Sequence, residues 1–395
     1  MVALILQKSA KSLQVKLNEF AEYLEGEAAT ASAFTQARAN LLHTIFIELN
    51  KGAYAEVYYE EEDYETYKGH RLFGIDGSKI RLPDEEEIRE EFGVVRLKNQ
   101  HSEGKYTGGL CSVFYDILNQ NAVDSILAPG TESEITLAKK HLEFCQEGDL
   151  ILLDRNYPGY ELFAEIRARE AHFVVRCSSN AFSVVENFIA QEDLKDTIVT
   201  LTPCKNHLSK VKQGLLPVEM KIRLIKVELC TGEIEILASS LLDQKKYVTS
   251  DFYELYGMRW GIETFYDRLK NRLFLENFTG RTSESVKQDF YASVLLANIE
   301  SELTSDIDQE LCRNNSNNND SYARKVNKTI SYNAIKEKAF DLLFSNDLDL
   351  EPLKEQLLAL FKRNTIPIRP NRSSPRKTTA RRALNFHIRK KKFVF

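Results

Sequence analysis

Asp149-Leu150-Ile151-Leu152-Leu153-Asp154 sets four aliphatic side chains in a row between two aspartates. A strand with one wet face alternates apolar and polar residues. An unbroken run is apolar on both faces and belongs in the middle of a sheet covered by helices. Upstream, Gly148 ends a helical stretch that starts at Thr131, with Glu134 at the spacing of a capping box, and runs to about Cys145. Downstream, a helix from about Tyr160 leads to the strand His172-Phe173-Val174-Val175-Arg176. Further upstream, Leu72-Phe73-Gly74-Ile75 reads as a strand that stops at the turn Asp76-Gly77-Ser78. Gly109 to Ile117 and Ala122 to Leu127 read as two more strands, joined at Asn119-Gln120-Asn121. Hairpin-type strands followed by strand and helix in alternation predict an α/β domain, with α+β elements, on a mixed central sheet.

Outside this core the rhythm changes. The stretch 178–245 carries alternating strands, Ile222 to Val227 and Glu233 to Leu237, with a turn at Thr231-Gly232. It predicts a β-rich insertion. From Val248 to about Asp308 the pattern is helical, and Asn314 to Asp320 is a low-complexity loop. Residues 1–69 also read as helical, with Leu13, Leu17, Phe20, Leu24 and then Phe34, Ala37, Leu41, Ile45 at steps of three and four. The expected organisation is a helical region 1–69, a core in two parts (70–177 and 246–308) split by the insertion 178–245, and a C-terminal helical region with a tail, 309–395.

With 43% hydrophobic and 28% charged residues in 395, the composition is that of a folded globular protein. The longest clean apolar run, Met1 to Leu6, is too short to span a bilayer, and no secretory signal pattern occurs. Six cysteines are scattered without a C-x-x-C pair, which suits neither a zinc site nor a disulfide framework. A cytoplasmic protein with reduced thiols is expected, with no membrane partner and no small-molecule cofactor. The net charge of −5 conceals 12 cations and no Asp or Glu between Lys362 and Phe395. Such a tail suits either a polyanion such as nucleic acid or a solvated solubility segment.

The chemistry is carried by three carboxylates. Asp76 and Asp154 stand at the ends of two apolar strands. Each alone suits a turn or a helix cap, but strand ends also project from a rigid sheet to where such folds place active sites. On one ideal helix, Tyr256, Arg259, Glu263 and Lys270 fall within a wedge of about 60°, while Leu255, Met258, Ile262, Phe265 and Leu269 share a buried face. A solvated face with charge pairs would show the same spacing for Glu263 and Lys270. Trp260 and Tyr266 beside the wedge suit base and phosphate contact. Asp76, Asp154 and Glu263 form an oxygen-only donor set that suits Mg²⁺ or Mn²⁺, and three carboxylates can hold two cations about 4 Å apart for phosphodiester displacement. In the N-terminal helices, Gln36, Arg38 and Asn40 suit major-groove readout, and packing on the core is the competing reading. Arg381 and Arg382 in the tail suit phosphate contact.

Tyr256-x-x-Arg259-x-x-x-Glu263-x-x-x-x-x-x-Lys270 matches, without a gap, the Tyr/Arg/Glu/Lys signature of bacterial insertion-sequence transposases. The chain resembles the insertion sequence four family of DDE enzymes, which have a ribonuclease-H-like catalytic core. Ile75 to Pro83 looks like the family's first-aspartate block. Leu152 to Tyr157 looks like the second, with Asn156 where Gly is usual. The resemblance covers about Ser32 to Ile299. It implies Asp76, Asp154 and Glu263 as the metal-binding triad. Tyr256, Arg259 and Lys270 would contact phosphates near the scissile bond and at the flipped base of a hairpin end. It implies cut-and-paste transposition at terminal inverted repeats, by a homodimer on DNA. Well-studied members hold the flipped base with a tryptophan of the insertion, whereas the one tryptophan here is Trp260. Another aromatic of the insertion, such as Phe182 or Phe188, would have to take that part, or the hairpin chemistry would differ. A catalytically inactive DNA-binding descendant and a nuclease with the same core are the alternatives.

Overall fold

The computed structural model describes residues 1–368 apart from 10, 61–63, 100–101, 230, 316–321 and 345–346. Nine strands form one sheet: β1 (Leu72–Arg81), β2 (Val94–Asn99), β3 (Ser102–Asp116), β4 (Asn121–Pro129), β5 (Leu150–Leu153), β6 (His172–Cys177), β7 (Asp196–Leu201), β8 (Met220–Glu228) and β9 (Ile234–Ser239). Their order is β2-β3-β1-β5-β6-β9-β8-β7, with β4 also paired to β3. β1 is antiparallel to β3 and parallel to β5, and β5 is parallel to β6. This is the mixed, ribonuclease-H-like arrangement the sequence led us to expect: an antiparallel meander, then parallel strands reached through helices.

The apolar run is buried on both faces, as its pattern requires. Leu150 and Leu152 join a core that includes Ile262, Phe265, Leu269 and Phe290. Ile151 and Leu153 point the other way, among Leu142, Phe163 and Val185 of the helices Glu134–His141 with its short extension, Tyr160–Arg167 and Ser183–Ile189. The helix Ser283–Asn315 covers the first face, and the N-terminal helices pack on it.

Three expectations need correction, and the β-rich insertion gains a placement. β1 does not stop at Asp76: its pairing with β3 continues to Arg81 opposite Gly108, and only its parallel neighbour ends, at Gly74 opposite Leu152. The Thr131 capping box does not form, since that helix begins at Glu134 after an N-cap Ser133 without a side-chain cap bond. The strands of the insertion extend the central sheet, with Ser239 of β9 opposite Val174 of β6. The glutamate helix is not one α-helix. It runs Asp251–Gly257, turns at Met258 and Arg259, resumes as Trp260–Asp267 and widens to a π-helical segment, Arg268–Arg272. Sequence reading also missed β2.

No helix among the described residues is long and apolar enough to cross a membrane. The described cysteines Cys111, Cys145, Cys177 and Cys204 are free thiols.

Candidate active site

Because β1 and β5 are parallel neighbours, their carboxyl ends lie side by side. Asp76 stands on β1 just beyond the last residue paired to β5, and Asp154 follows directly after β5. Asp76 Oδ1 accepts the amide of Gly77 at 2.8 Å, and Asp154 Oδ1 accepts that of Asn156 at 2.7 Å. Asp154 thus combines the turn contact with a strand-end position, whereas Asp76 lies within β1, where only the parallel neighbour ends.

The glutamate helix crosses these strand ends and is fastened to both. Tyr256 Oη donates to the Leu153 carbonyl at 3.3 Å. Tyr266 Oη lies 2.8 Å from the Asp76 carbonyl and 3.1 Å from that of Cys111. Lys270 Nζ reaches Ser78 Oγ at 2.6 Å and the Lys79 carbonyl at 2.9 Å. Tyr256 and Tyr266 are buried. The wedge drawn on an ideal helix is thus not an outward face. The turn at Met258 and the π segment change the angular step, so Tyr256 and Lys270 meet the sheet. Leu255, Ile262, Phe265 and Leu269 are buried as expected, and Met258 packs only partly against the same core.

Glu263 remains open, its side chain 36% exposed, and its Oε1 accepts Arg259 Nη2 at 2.8 Å. Arg259 is buried between two rings, its guanidinium 5.7 Å from Tyr256 and 5.5 Å from Trp260. Its Nε has no partner among the described residues and no surface for water. Trp260 is exposed.

Two groups were not singled out in the sequence. Glu134 opens its helix against β1, so close that a Cβ added at Gly77 would lie 2.8 Å from Glu134 Cγ. The signal was available: an acid in the first turn after a strand-turn, read there as a cap. The other is Tyr157, whose hydroxyl is buried without a partner.

Burial chiefly, then Asp154 and Glu134, push the Asp76 carboxyl up to about 7, while the Gly77 amide and Arg259 pull it down. Burial and Asp154 also raise Glu134. A carboxyl raised on folding contributes stability fully present below about 4 and lost as pH rises through about 7. A divalent cation ligated by Asp76 would have to displace that proton. Affinity for Mn²⁺ is therefore expected to rise about tenfold per pH unit below 7 and level off above it. Calorimetry in buffers of different ionisation heat should show about one proton released per binding event at pH 6; no release at that pH would place Asp76 outside the cation site.

Asp76, Asp154 and Glu263 offer only carboxylate oxygen, which fits a hard divalent cation. Among the described residues no three acidic groups are already close enough to enclose one. Glu263 is instead engaged by Arg259, and Asp76 and Asp154 by amides. The donor chemistry fits, and side-chain movement alone would have to complete the set.

The family model of the transposase DDE domain matches residues 67–299, more than half of the chain. The chain belongs to the DDE-domain transposases. A relative from Escherichia coli (strain K12), named "Putative transposase InsZ", is 24% identical over 153 residues, covering 37% of this chain and 50% of that protein. The match thus spans half the length of that relative. Among solved structures, the piggyBac transposase synaptic complex with hairpin DNA aligns with a TM-score of 0.40 at 10% identity, over 78% of this chain and 60% of that one.

The DNA-contact residues expected of this DDE-domain protein divide unevenly. Arg38 is turned inward: Nε meets Gln288 Oε1 at 2.7 Å, Nη1 meets Thr279 Oγ1 at 2.7 Å and Nη2 meets Asp289 Oδ1 at 2.9 Å. Its donors tie the N-terminal helices to the helix Ser283–Asn315, so the packing reading holds for it. Gln36 is exposed. Phe188 is buried under β7, and Phe182 packs on Phe163, so neither presents a free ring. Arg381 and Arg382 lie outside the described residues. Lys362, counted among the tail cations, is paired with Glu310 at 2.7 Å.

Proposed function

We propose that this chain is a cut-and-paste transposase of the insertion sequence four type. It would cleave phosphodiesters at terminal inverted repeats, form and reopen a hairpin, and join the freed ends to target DNA, working as a homodimer on DNA. The observation that supports this reading is the placement of Asp76 and Asp154 level with each other on the parallel neighbours β1 and β5, under the helix that carries Glu263, in a chain of this family.

Asp76, Asp154 and Glu263 would hold Mg²⁺, or Mn²⁺ in its place, as a pair of ions. When bound, such ions supply Lewis-acid activation of water and neutralise charge on the attacking and leaving oxygens. The chain's own part is positioning. Tyr256, Tyr266 and Lys270 fix the glutamate helix on the two aspartate strands. Arg259 presents a guanidinium held between two rings, suited to grip a phosphate with two parallel bonds. Trp260, exposed at 52%, is the aromatic beside the carboxylates that is free to stack on a base.

The test is a labelled terminal-repeat duplex incubated with the protein and Mg²⁺, resolved on a denaturing gel into nicked, hairpin and joined products. All three should form. Binding without cutting would identify an inactive descendant, and cutting without joining would identify a nuclease. Arg259→Lys keeps the charge but not the fork, and is expected to slow cleavage about tenfold or more, by the loss of a charge-assisted bond. Full activity in that variant would remove the bidentate role.

A further inference from the structure

Tyr157 sits on the turn after β5, three residues beyond Asp154, and its amide donates to the Asp154 carbonyl at 3.2 Å. The side chain is fully buried, packed with Leu153, Phe163 and the helices of the second face. Yet the hydroxyl has no partner and no surface that a water could touch. A buried donor left unpaired is costly, and such groups gather where a structure is set up for a partner that arrives later. Nothing in the packing requires the oxygen, since a phenylalanine ring would fill the same space.

The surroundings say what the partner is. The turn that carries Tyr157 begins at Asp154, and the register of β5 on β1 sets Asp154 level with Asp76. Burial first, then the charges of Asp76, Glu134 and Asp154, hold the hydroxyl in its protonated, donating form, with Arg259 opposing them. Ionised, as a cation ligand must be, a carboxylate can only accept. The Asp76 carboxylate commits one oxygen to the Gly77 amide and has no other hydrogen bond from the described residues. Carboxylates that ligate a cation are usually steered by a donor on the oxygen facing away from it.

We propose that Tyr157 is a positioning residue: its hydroxyl waits unpaired in the cation-free chain and donates to the Asp76 carboxylate when Asp76 turns to ligate. This rests on reading Asp76 as a cation ligand. The bond would set the orientation of Asp76 and hold one of its oxygens away from the Gly77 amide. It is made only in the loaded state, so its free energy goes to cation affinity and not to the fold.

The experiment is Tyr157→Phe in the full chain, compared with wild type and Asp76→Ala. Two quantities are read without DNA: melting temperature in chelator, and Mn²⁺ affinity by electron paramagnetic resonance. Losing an unpaired buried hydroxyl should raise the melting temperature by about 1–3 °C. Mn²⁺ affinity should fall about 10–100-fold, as for other groups that steer a ligand. Cleavage by Tyr157→Phe at low Mn²⁺ should fall with it and recover as Mn²⁺ is raised. A lowered melting temperature would show that the hydroxyl already has a partner in the free chain, and would overturn the proposal. Unchanged Mn²⁺ affinity in Tyr157→Phe, with affinity lost in Asp76→Ala, would also overturn it while sparing the site. Unchanged affinity in both would show that Asp76 is not a ligand, and both readings would fall.

Discussion

Alanine at Asp76, Asp154 or Glu263 should each lower strand cleavage by more than about a hundredfold, because even groups that merely orient a metal ligand cost about 10–100-fold when removed. Binding of a terminal-repeat duplex should be nearly unchanged, since none of the three is a cation that neutralises phosphate. The folding consequence differs by position. Asp76→Ala removes a buried carboxyl whose ionised form is unfavourable at neutral pH, so the variant should be no less stable than wild type at pH 8. Glu263→Ala leaves the buried Arg259 guanidinium without its ion pair, so that variant should lose some stability as well as activity. Cleavage rates and circular dichroism melts on the same preparations check both halves. Any of the three variants cleaving at near wild-type rate would exclude that residue from the site.

The second large effect is on folding, at the opposite end of the same two strands. Arg71 and Asp149 precede β1 and β5 and form a bidentate pair, Nε to Oδ1 and Nη2 to Oδ2 at 2.7 Å each. Both are buried, and Tyr59 stacks on the guanidinium at 4.6 Å. Removing one partner strands a buried charge, so Arg71→Ala or Asp149→Ala should cost about 3–5 kcal/mol in urea unfolding. The double variant should cost less than the sum of the singles, because the second substitution removes the stranded charge. This pair fixes the register in which Asp76 and Asp154 come level, so loss of cleavage should accompany loss of stability. Additive singles would mean that the two side chains act independently.

The sheet was legible because Leu150 to Leu153 could only be buried on both faces, and because apolar runs ended at aspartates. The acids could be grouped as a candidate set because their side chains offer only oxygen donors. What did not show was the behaviour of the glutamate helix. Angular spacing assumes a constant step, and the turn at Met258 with the π segment after Asp267 breaks it. Lys270 and Tyr256 therefore serve the protein interior where an ideal helix had them facing out. Arg38 misled for a related reason: a polar residue on a short helix looks solvent-facing until a second helix, 250 residues away in sequence, supplies Gln288. Glu134 was read as a cap because its first-turn position suits one equally well, and Tyr157 was hidden because proximity across a sheet edge has no linear signature.

One edge of β1 has no strand beside it beyond Gly74, and an open edge is a template on which another chain can add. Here side chains cover three of the backbone groups along that stretch. The Gly77 amide is covered by the Asp76 carboxylate, the Lys79 carbonyl by Lys270 and the Arg81 amide by Glu276. Two of those three side chains belong to the helical segment that delivers Glu263 and the loop that follows it. The contacts that align the carboxylates thus also keep the strand from recruiting copies of itself. A chain that loses Lys270 or Glu276 should reveal this in solution before any DNA is added, as concentration-dependent association and turbidity on storage.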